Sequence, residues 1–219
     1  MLLVLLDDFH RAAQACELAR SRVRHDLHEP AADTLKDSGW VFGVKFRPGA
    51  FRPFFGRSVA SLRDRSVPID EVFGTRGAAL ARQVSDLRGD VEKAAAVERF
   101  LNERMTPSDP NVERVGNIVD EIAENREIVS VEQVVELGRF GKRTLQQLFN
   151  SYVGVGPKWV INRYRLHEAV EQLQEGAKIS FTELAIELGY FDQAHFNRDF
   201  RKLVGCTPAA YARRHLADS

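Results

Sequence analysis

The chain contains a copy of part of itself. Laid over itself at an offset of 51 residues, 129–157 matches 180–208 at Glu132/Glu183, Glu136/Glu187, Leu137/Leu188, Gly138/Gly189, Phe140/Phe191, Phe149/Phe200, Val153/Val204, Gly154/Gly205 and Pro157/Pro208. Composition alone would give about two identities in such a window, so the segment is a duplicated supersecondary unit. The second half of the chain must therefore be built from two similar small pieces.

Each copy reads as two short helices joined by a tight turn. Val131, Val134, Val135 and Leu137 form the apolar stripe of a first helix, as do Leu184, Ala185 and Leu188 in the second copy. Gly138 and Gly189 close those helices, where a left-handed backbone costs glycine least. Phe140 and Phe191 are placed to plug the corner. The next helix buries Leu145, Leu148, Phe149 and Tyr152, and its copy buries Phe196, Phe200, Leu203 and Val204. Such a pair is a helix-turn-helix, whose second helix can lie in a major groove. Between the copies, Gly156-Pro157-Lys158-Trp159 opens a longer helix to about Leu173, with Leu166, Ala169, Val170 and Leu173 facing inward. Reading successive grooves on one face of a duplex would require this linker to set a separation of about 34 Å.

Two packed helical hairpins without nucleic acid would show the same repeat, so the charge pattern has to separate the readings. Formal net charge is zero. Between 138 and 166, however, Arg139, Lys142, Arg143, Lys158, Arg163 and Arg165 meet no acid, and between 193 and 214 Arg198, Arg201, Lys202, Arg213 and Arg214 meet Asp199 alone. The balancing acids, among them Asp120, Glu121, Glu124, Glu168 and Glu171, lie elsewhere. One basic flank in each copy is the footprint of phosphate contact on a neutral protein. Recognition helices are expected at about 142–153 and 193–204, with Lys142, Lys158, Arg201 and Lys202 on phosphates. Outside the apolar stripes stand Arg143, Gln146, Gln147 and Asn150 in one and Gln193, His195, Asn197 and Arg198 in the other. Arginine can bridge guanine O6 and N7, and Asn or Gln can pair with adenine N6 and N7. Base contacts are accordingly expected from Arg143, Gln146, Gln147, Gln193, His195, Asn197 and Arg198.

The run from Gly189 through Tyr190, Phe191, Asp192, Gln193 and His195 to Phe200, followed by Val204, Gly205, Pro208 and Tyr211, resembles the signature of AraC/XylS-type transcription regulators. Gly154, Gly156, Pro157, Trp159, Arg163 and Leu166 resemble the linker helix of the same family. The resemblance covers about residues 109–216. It implies a seven-helix domain, an asymmetric promoter site on duplex DNA and contact with RNA polymerase. It also implies base contacts at Arg143, Gln146, Gln147, Gln193, His195 and Arg198. Arg139 stands where many members carry glycine, so the first turn is expected to be less regular.

The expected fold is mainly α, with an all-α domain of two helix-turn-helix units and a linker helix (107–219) after a small α+β region (1–106). In that region 9–24 reads as helical, 39–46 as a strand with Trp40, Phe42, Val44 and Phe46 on one face, and Arg47-Pro48-Gly49 as its turn. From 75 to 105 the pattern is helical through Leu80, Val84, Leu87, Val91, Ala95, Val97 and Leu101. Thr106-Pro107-Ser108-Asp109-Pro110 marks the boundary. Residues 39–51 are similar to the end of a sensory domain in one subgroup of these regulators. Residues 1–38 do not supply the strands of a full barrel, which leaves a truncated sensor, a displaced start or an unusual small domain all open. A small-molecule effector and a homodimer would both belong here, and no ligand identity transfers.

An enzyme is the rival class. His10, His25 and His28 with Asp7, Asp8 and Asp26 match no zinc spacing, so no metal, cofactor or catalysis is expected. Cys16 and Cys206 have no metal-ligand neighbours and fit a reducing cytoplasm. The apolar start is stopped by Asp7 and Asp8, too short for a signal peptide or membrane span.

Overall fold

The computed structural model describes residues 2–5, 22–25, 42–105, 109–139, 141–175 and 180–217. The chain divides into two compact units. One gathers the described residues up to Asn117 and adds Gln146–Val155; the other takes Ile118–Leu145 and the described residues from Gly156 onward.

The first unit carries a four-stranded sheet of order β3-β1-β2-β4, from β1 (Leu2–Leu5), β2 (Arg22–His25), β3 (Phe42–Lys45) and β4 (Arg65–Pro68). β1 runs parallel to both neighbours, Val4 opposite Val23 and Val44, while β4 is antiparallel to β2 with Val67 opposite Val23. Arg22–Arg24 are therefore extended, which corrects the end of the helical reading of 9–24. Backbone pairing on both sides of β2 outweighs the local preference of an Arg-rich run. Residues 9–21 and Trp40 lie outside the described residues. The turn after β3 forms as expected, with Ala50 N donating to Arg47 O at 3.0 Å and Gly49 at φ +83°.

Two short elements that sequence periodicity did not reveal follow: α1 (Arg52–Phe55) and a 3-10 turn, Val59–Leu62. They are too short to show a period and are held by an aromatic cluster. Phe46, Phe51, Phe55, Val59, Leu62 and Val67 are buried together, Phe46 and Phe51 edge to face at 5.1 Å. α2 (Ile69–Asp86) leaves helical geometry at Gly74, so its straight part begins at Thr75. It packs on α3 (Asp90–Asn102) through Leu80, Val84, Ala96 and Val97. The buried face of α3 runs through Lys93, Ala96 and Val97 and includes the half-buried Phe100, an i, i+3, i+4, i+7 stripe. Val91 and Ala95 were expected on that face but fall off this stripe, and Val91 is 80% exposed.

From Pro110 onward the described residues form seven α-helices: α4 (Pro110–Glu124), α5 (Val131–Gly138), α6 (Lys142–Leu148), α7 (Pro157–Gln174), α8 (Phe181–Glu187), α9 (Gln193–Val204) and α10 (Pro208–Ala217). The fold is mainly α after a small α+β region. Both α4 and α6 pass from one unit to the other along their length. The second unit closes around Leu166, Ala169, Leu173, Leu184, Ala185, Leu188, Tyr190, Phe196 and Phe200. At roughly 1.5–3 kcal/mol for each buried Leu or Phe, this cluster contributes substantially to its cohesion.

Candidate nucleic-acid interface

The helix-turn-helix units are α5–α6 and α8–α9, and their local geometry shifts the register of the repeat. Ser130 and Ser180 each cap a first helix, accepting from the backbone N–H of Gln133 and Glu183, whose side chains reach back to the cap. Val134 and Leu184 are fully buried at matching places in those helices, with Ala185 buried beside Leu184, and the first left-handed residues are Arg139 (φ +51°) and Gly189 (φ +75°). These pairs are 50 residues apart. The second helices keep the interval of 51: Leu145 and Phe196 are buried, Phe149 and Phe200 are buried, and Gly154 and Gly205 end them at φ +93° and +84°. The second turn is one residue longer than the first.

A single offset thus places the first helices one residue out of register. Leu137 was assigned to the apolar stripe beside Leu188, yet it is 51% exposed while Leu188 is 3% exposed. Gly138 was assigned the left-handed position, yet it ends α5 and Arg139 takes that conformation, the irregularity foreseen for this turn. Phe191 was expected to plug the corner, yet it is 93% exposed. Tyr190 fills that place, edge-on to Phe196 at 5.5 Å. Phe140 lies outside the described residues. Gly189 is doubly constrained, because an added Cβ would also sit 2.7 Å from the Val129 Cβ and 2.9 Å from its carbonyl oxygen.

On the first recognition helix Lys142, Arg143, Gln146 and Gln147 are exposed. Lys142 Nζ donates to Glu132 Oε1 at 2.6 Å, and that bond holds the Glu132 carboxyl below its ordinary range. Gln146 Nε2 donates to Asn150 Oδ1 at 3.5 Å. On the second, Asp192 caps α9 by accepting from His195 N at 2.7 Å. His195 is exposed, edge-on to Tyr190 at 5.6 Å. Gln193 is half-buried and its Oε1 accepts from Thr182 Oγ1 at 2.8 Å. Arg198, Arg201 and Lys202 are exposed, with Lys202 Nζ 3.9 Å from Asp199 Oδ1. Asn197 is half-buried, and its Oδ1 is enclosed with no hydrogen-bond partner among the described residues. To reach a base its amide would have to turn outward. Lys158 Nζ donates to Val129 O at 3.1 Å, and burial lowers its ammonium pKa against the opposing pull of Glu132.

Two cations leave the basic tally. Arg163 and Arg165 are buried. Arg165 donates to Ile122 O at 2.6 Å and Asn125 O at 3.0 Å, capping carbonyls that the end of α4 leaves without helical partners. Its Nη2 lies 3.1 Å from Glu168 Oε1. Burial lowers the Arg165 pKa and raises that of Glu168, and the attraction between them opposes both shifts. The signal was present in the sequence: Glu168 stands three residues on, and Arg165 lies on the same helical flank as Ala169.

Residues 139–214 match a family model described as a helix-turn-helix domain. Residues 27–68 match a domain of unknown function, DUF6597. Among curated proteins, the chain is 34% identical over 70 residues to the HTH-type transcriptional regulator ExsA of Pseudomonas aeruginosa, covering 32% of this chain and 24% of that protein. It is 29% identical over 114 residues to the XylDLEGF operon transcriptional activator 1 of Pseudomonas putida, 51% of this chain and 34% of that protein. The virulence regulon transcriptional activator VirF of Yersinia enterocolitica is 33% identical over 70 residues, 32% of this chain and 25% of that protein. The chain carries an AraC-type helix-turn-helix domain.

The chain spans a quarter to a third of the length of these relatives. Solved structures with likeness to the AraC-type domain include the DNA-binding domain of AdpA in complex with a target DNA, at 28% identity and a TM-score of 0.39. That match covers 51% of this chain and 96% of the other. Another is a probable AraC family regulator from Rhodopseudomonas palustris CGA009, 26% identical with a TM-score of 0.43, covering 47% of this chain and 97% of the other. Among the described residues no cluster of His, Cys, Asp and Glu could hold a metal ion, and no helix is long and apolar enough to cross a membrane. The sequence cluster of His10, His28, Asp7, Asp8 and Asp26 lies outside the described residues.

Proposed function

We propose that the chain is a sequence-specific DNA-binding transcription regulator whose recognition helices, about 142–153 and 193–204, enter successive major grooves of a promoter site. The observation that carries this reading is the pairing, in each copy, of an exposed polar helix face with a basic flank: Arg143, Gln146 and Gln147 beside Lys142, and His195 and Arg198 beside Arg201 and Lys202. Arginine and glutamine on such a face read bases, and the lysines hold phosphates. Gln193, Asn197 and Lys158 belong to the same proposal but must first exchange or reorient the contacts described above.

Footprinting of genomic fragments, with affinity followed against salt, tests it. Contacts by Lys142, Lys158, Arg201 and Lys202 give a slope of log K against log salt of about −3 to −4. Affinity independent of salt, or equal for every sequence, overturns the reading.

Residues 107–219 are proposed as the DNA-binding domain and 1–106 as the region that modulates it. The fragment 107–219 should be helical, unfold cooperatively and still protect the half of the site read by α9; a molten fragment would move the boundary. Activation through RNA polymerase in the cytoplasm is proposed by analogy with the activator relatives, and promoter transcription in vitro tests it. An effector fits the cavity of about 410 Å³ in the first unit, walled by Pro48, Pro53, Phe54 and Val112 with Arg47, Asp109 and Glu113 for polar contacts. Filling it with Val112→Trp should abolish effector response and leave base preference intact. A homodimer through the N-terminal region is tested by sedimentation of the full chain.

A further inference from the structure

The first recognition helix does not end as an α-helix. Its last residues, Phe149–Val153, form a π-helical turn closed by Gly154 N donating to Phe149 O at 2.9 Å. A helix end leaves its last carbonyls without intrahelical partners, and a cation there complements the helix dipole. Here both needs are met by the segment that holds α1 and the 3-10 turn. Arg63 Nε donates to Gly154 O at 2.9 Å, and Nη2 of the same side chain donates to that oxygen as well. Ser58 Oγ donates to Asn150 O at 3.2 Å. Arg52 Nε donates to Ser151 Oγ at 3.4 Å, with its guanidinium 5.8 Å from the Tyr152 ring centre. On the start of α4, Asp109 Oδ2 accepts from the Tyr152 hydroxyl at 2.6 Å.

One of these contacts leads toward the exposed face. Arg63 Nη2 reaches Asn150 Oδ1 at 3.5 Å, and the same oxygen accepts from Gln146 Nε2 at 3.5 Å. Gln146 is one helical turn earlier, among the expected base contacts. The second recognition helix is finished differently, by an α-helical bond from Gly205 N to Arg201 O at 2.9 Å.

We infer that Arg63 is a positioning residue for DNA recognition: it caps the π-helical end of the first recognition helix and, through Asn150, orients Gln146. Residues 27–68, matched to a domain of unknown function, thereby acquire a role in setting sequence preference. The inference rests on the DNA-binding reading above. The Arg63 guanidinium is engaged with backbone and amide oxygens at the helix end, so its loss is expected to act on one half-site and to leave the count of displaced ions unchanged.

The test uses the full chain with Arg63→Ala, Arg63→Lys and the milder Ser58→Ala, beside Gln146→Ala and Arg198→Ala as markers of the two half-sites. Without DNA, amide exchange at 150–154 should quicken about tenfold in Arg63→Ala, with the α9 amides unchanged. With DNA, Arg63→Ala should lose about tenfold in discrimination at the bases marked by Gln146→Ala and none at those marked by Arg198→Ala. The salt slope should stay that of the parent. Arg63→Lys, which keeps one donor, should recover part of the loss, and Ser58→Ala should show a smaller effect at the same bases. Unchanged exchange at 150–154, equal loss at both half-sites, or a slope reduced by one ion would overturn the inference. If the two markers themselves leave base preference untouched while exchange quickens, the DNA-binding reading fails and the cap stands.

Discussion

In α8–α9 the turn is made from local parts: Gly189 takes the left-handed position, Tyr190 fills the corner and Asp192 caps the helix that follows. In α5–α6 an arginine takes the left-handed position, Gly141 precedes the second helix, and the far end of that helix is a π turn held by Arg52, Ser58 and Arg63. Both copies bury matching positions in their second helices, Leu145 and Phe196, then Phe149 and Phe200. The difference lies in what secures the ends. One copy carries its own caps, and the other takes part of its definition from residues nearly a hundred positions earlier. Duplicated units can keep a core in common while the chemistry of their ends diverges, because caps are single contacts that tertiary neighbours can replace.

The largest expected effect tests the two turns directly. Gly189→Ala should cost about 2–4 kcal/mol, since it adds left-handed strain to a Cβ placed against the Val129 backbone. The matching change in the other copy, Arg139→Gly, should instead stabilise by about 0.5–1 kcal/mol. Urea unfolding of both variants measures this, and similar shifts of the same sign would erase the contrast. Next come the proposed base contacts. Arg143→Ala and Arg198→Ala should each remove about 1–3 kcal/mol of discrimination at different base positions, read by selection from a randomised site. Uniform weakening by Arg198→Ala would make that residue a phosphate contact.

Asp192→Ala should cost about 1 kcal/mol through loss of the bond to His195 N, seen as a lower unfolding midpoint. The first copy has glycine before its helix and offers no equivalent cap to remove. The smallest effect concerns Lys142. Lys142→Gln should leave thermal unfolding essentially unchanged, because its ion pair with Glu132 is exposed, yet make the salt slope shallower by about one ion as one phosphate contact is lost. An unaltered slope would show that Lys142 does not reach the duplex.

The helices that bury a periodic stripe were legible from residues alone: Phe149 and Phe200, or Leu166 and Ala169, announce themselves by spacing. Turns were not. Identities at Leu137/Leu188 and Gly138/Gly189 favoured one constant offset, and only backbone geometry shows that capping serines and left-handed residues keep another. A one-residue change in a turn is invisible to a pattern with period 3.6, since each helix still satisfies its own stripe. The exposed faces carrying Arg143, Gln147 and Arg198 followed from the same stripes. Arg63, Ser58 and Arg52 did not, because nothing near them in sequence says which distant carbonyls they meet. In the N-terminal unit, β2 was masked by helix-compatible composition, and α1 and the 3-10 turn were too short to show a period.

The buried guanidinium of Arg165 bears on how any mutant collection for this protein is scored. In a reporter screen, replacing Arg165 and replacing Arg198 should both silence the promoter, so the two would cluster as one class. Their causes are opposite. Removing Arg165 takes a donor from the carbonyls of Ile122 and Asn125 and leaves the buried Glu168 with only the more distant Arg126, a destabilisation that cells convert into low protein abundance. Arg198→Ala should accumulate to parental levels. An immunoblot beside the reporter sorts folding alleles from reading alleles, and growth at lower temperature should restore the first kind alone.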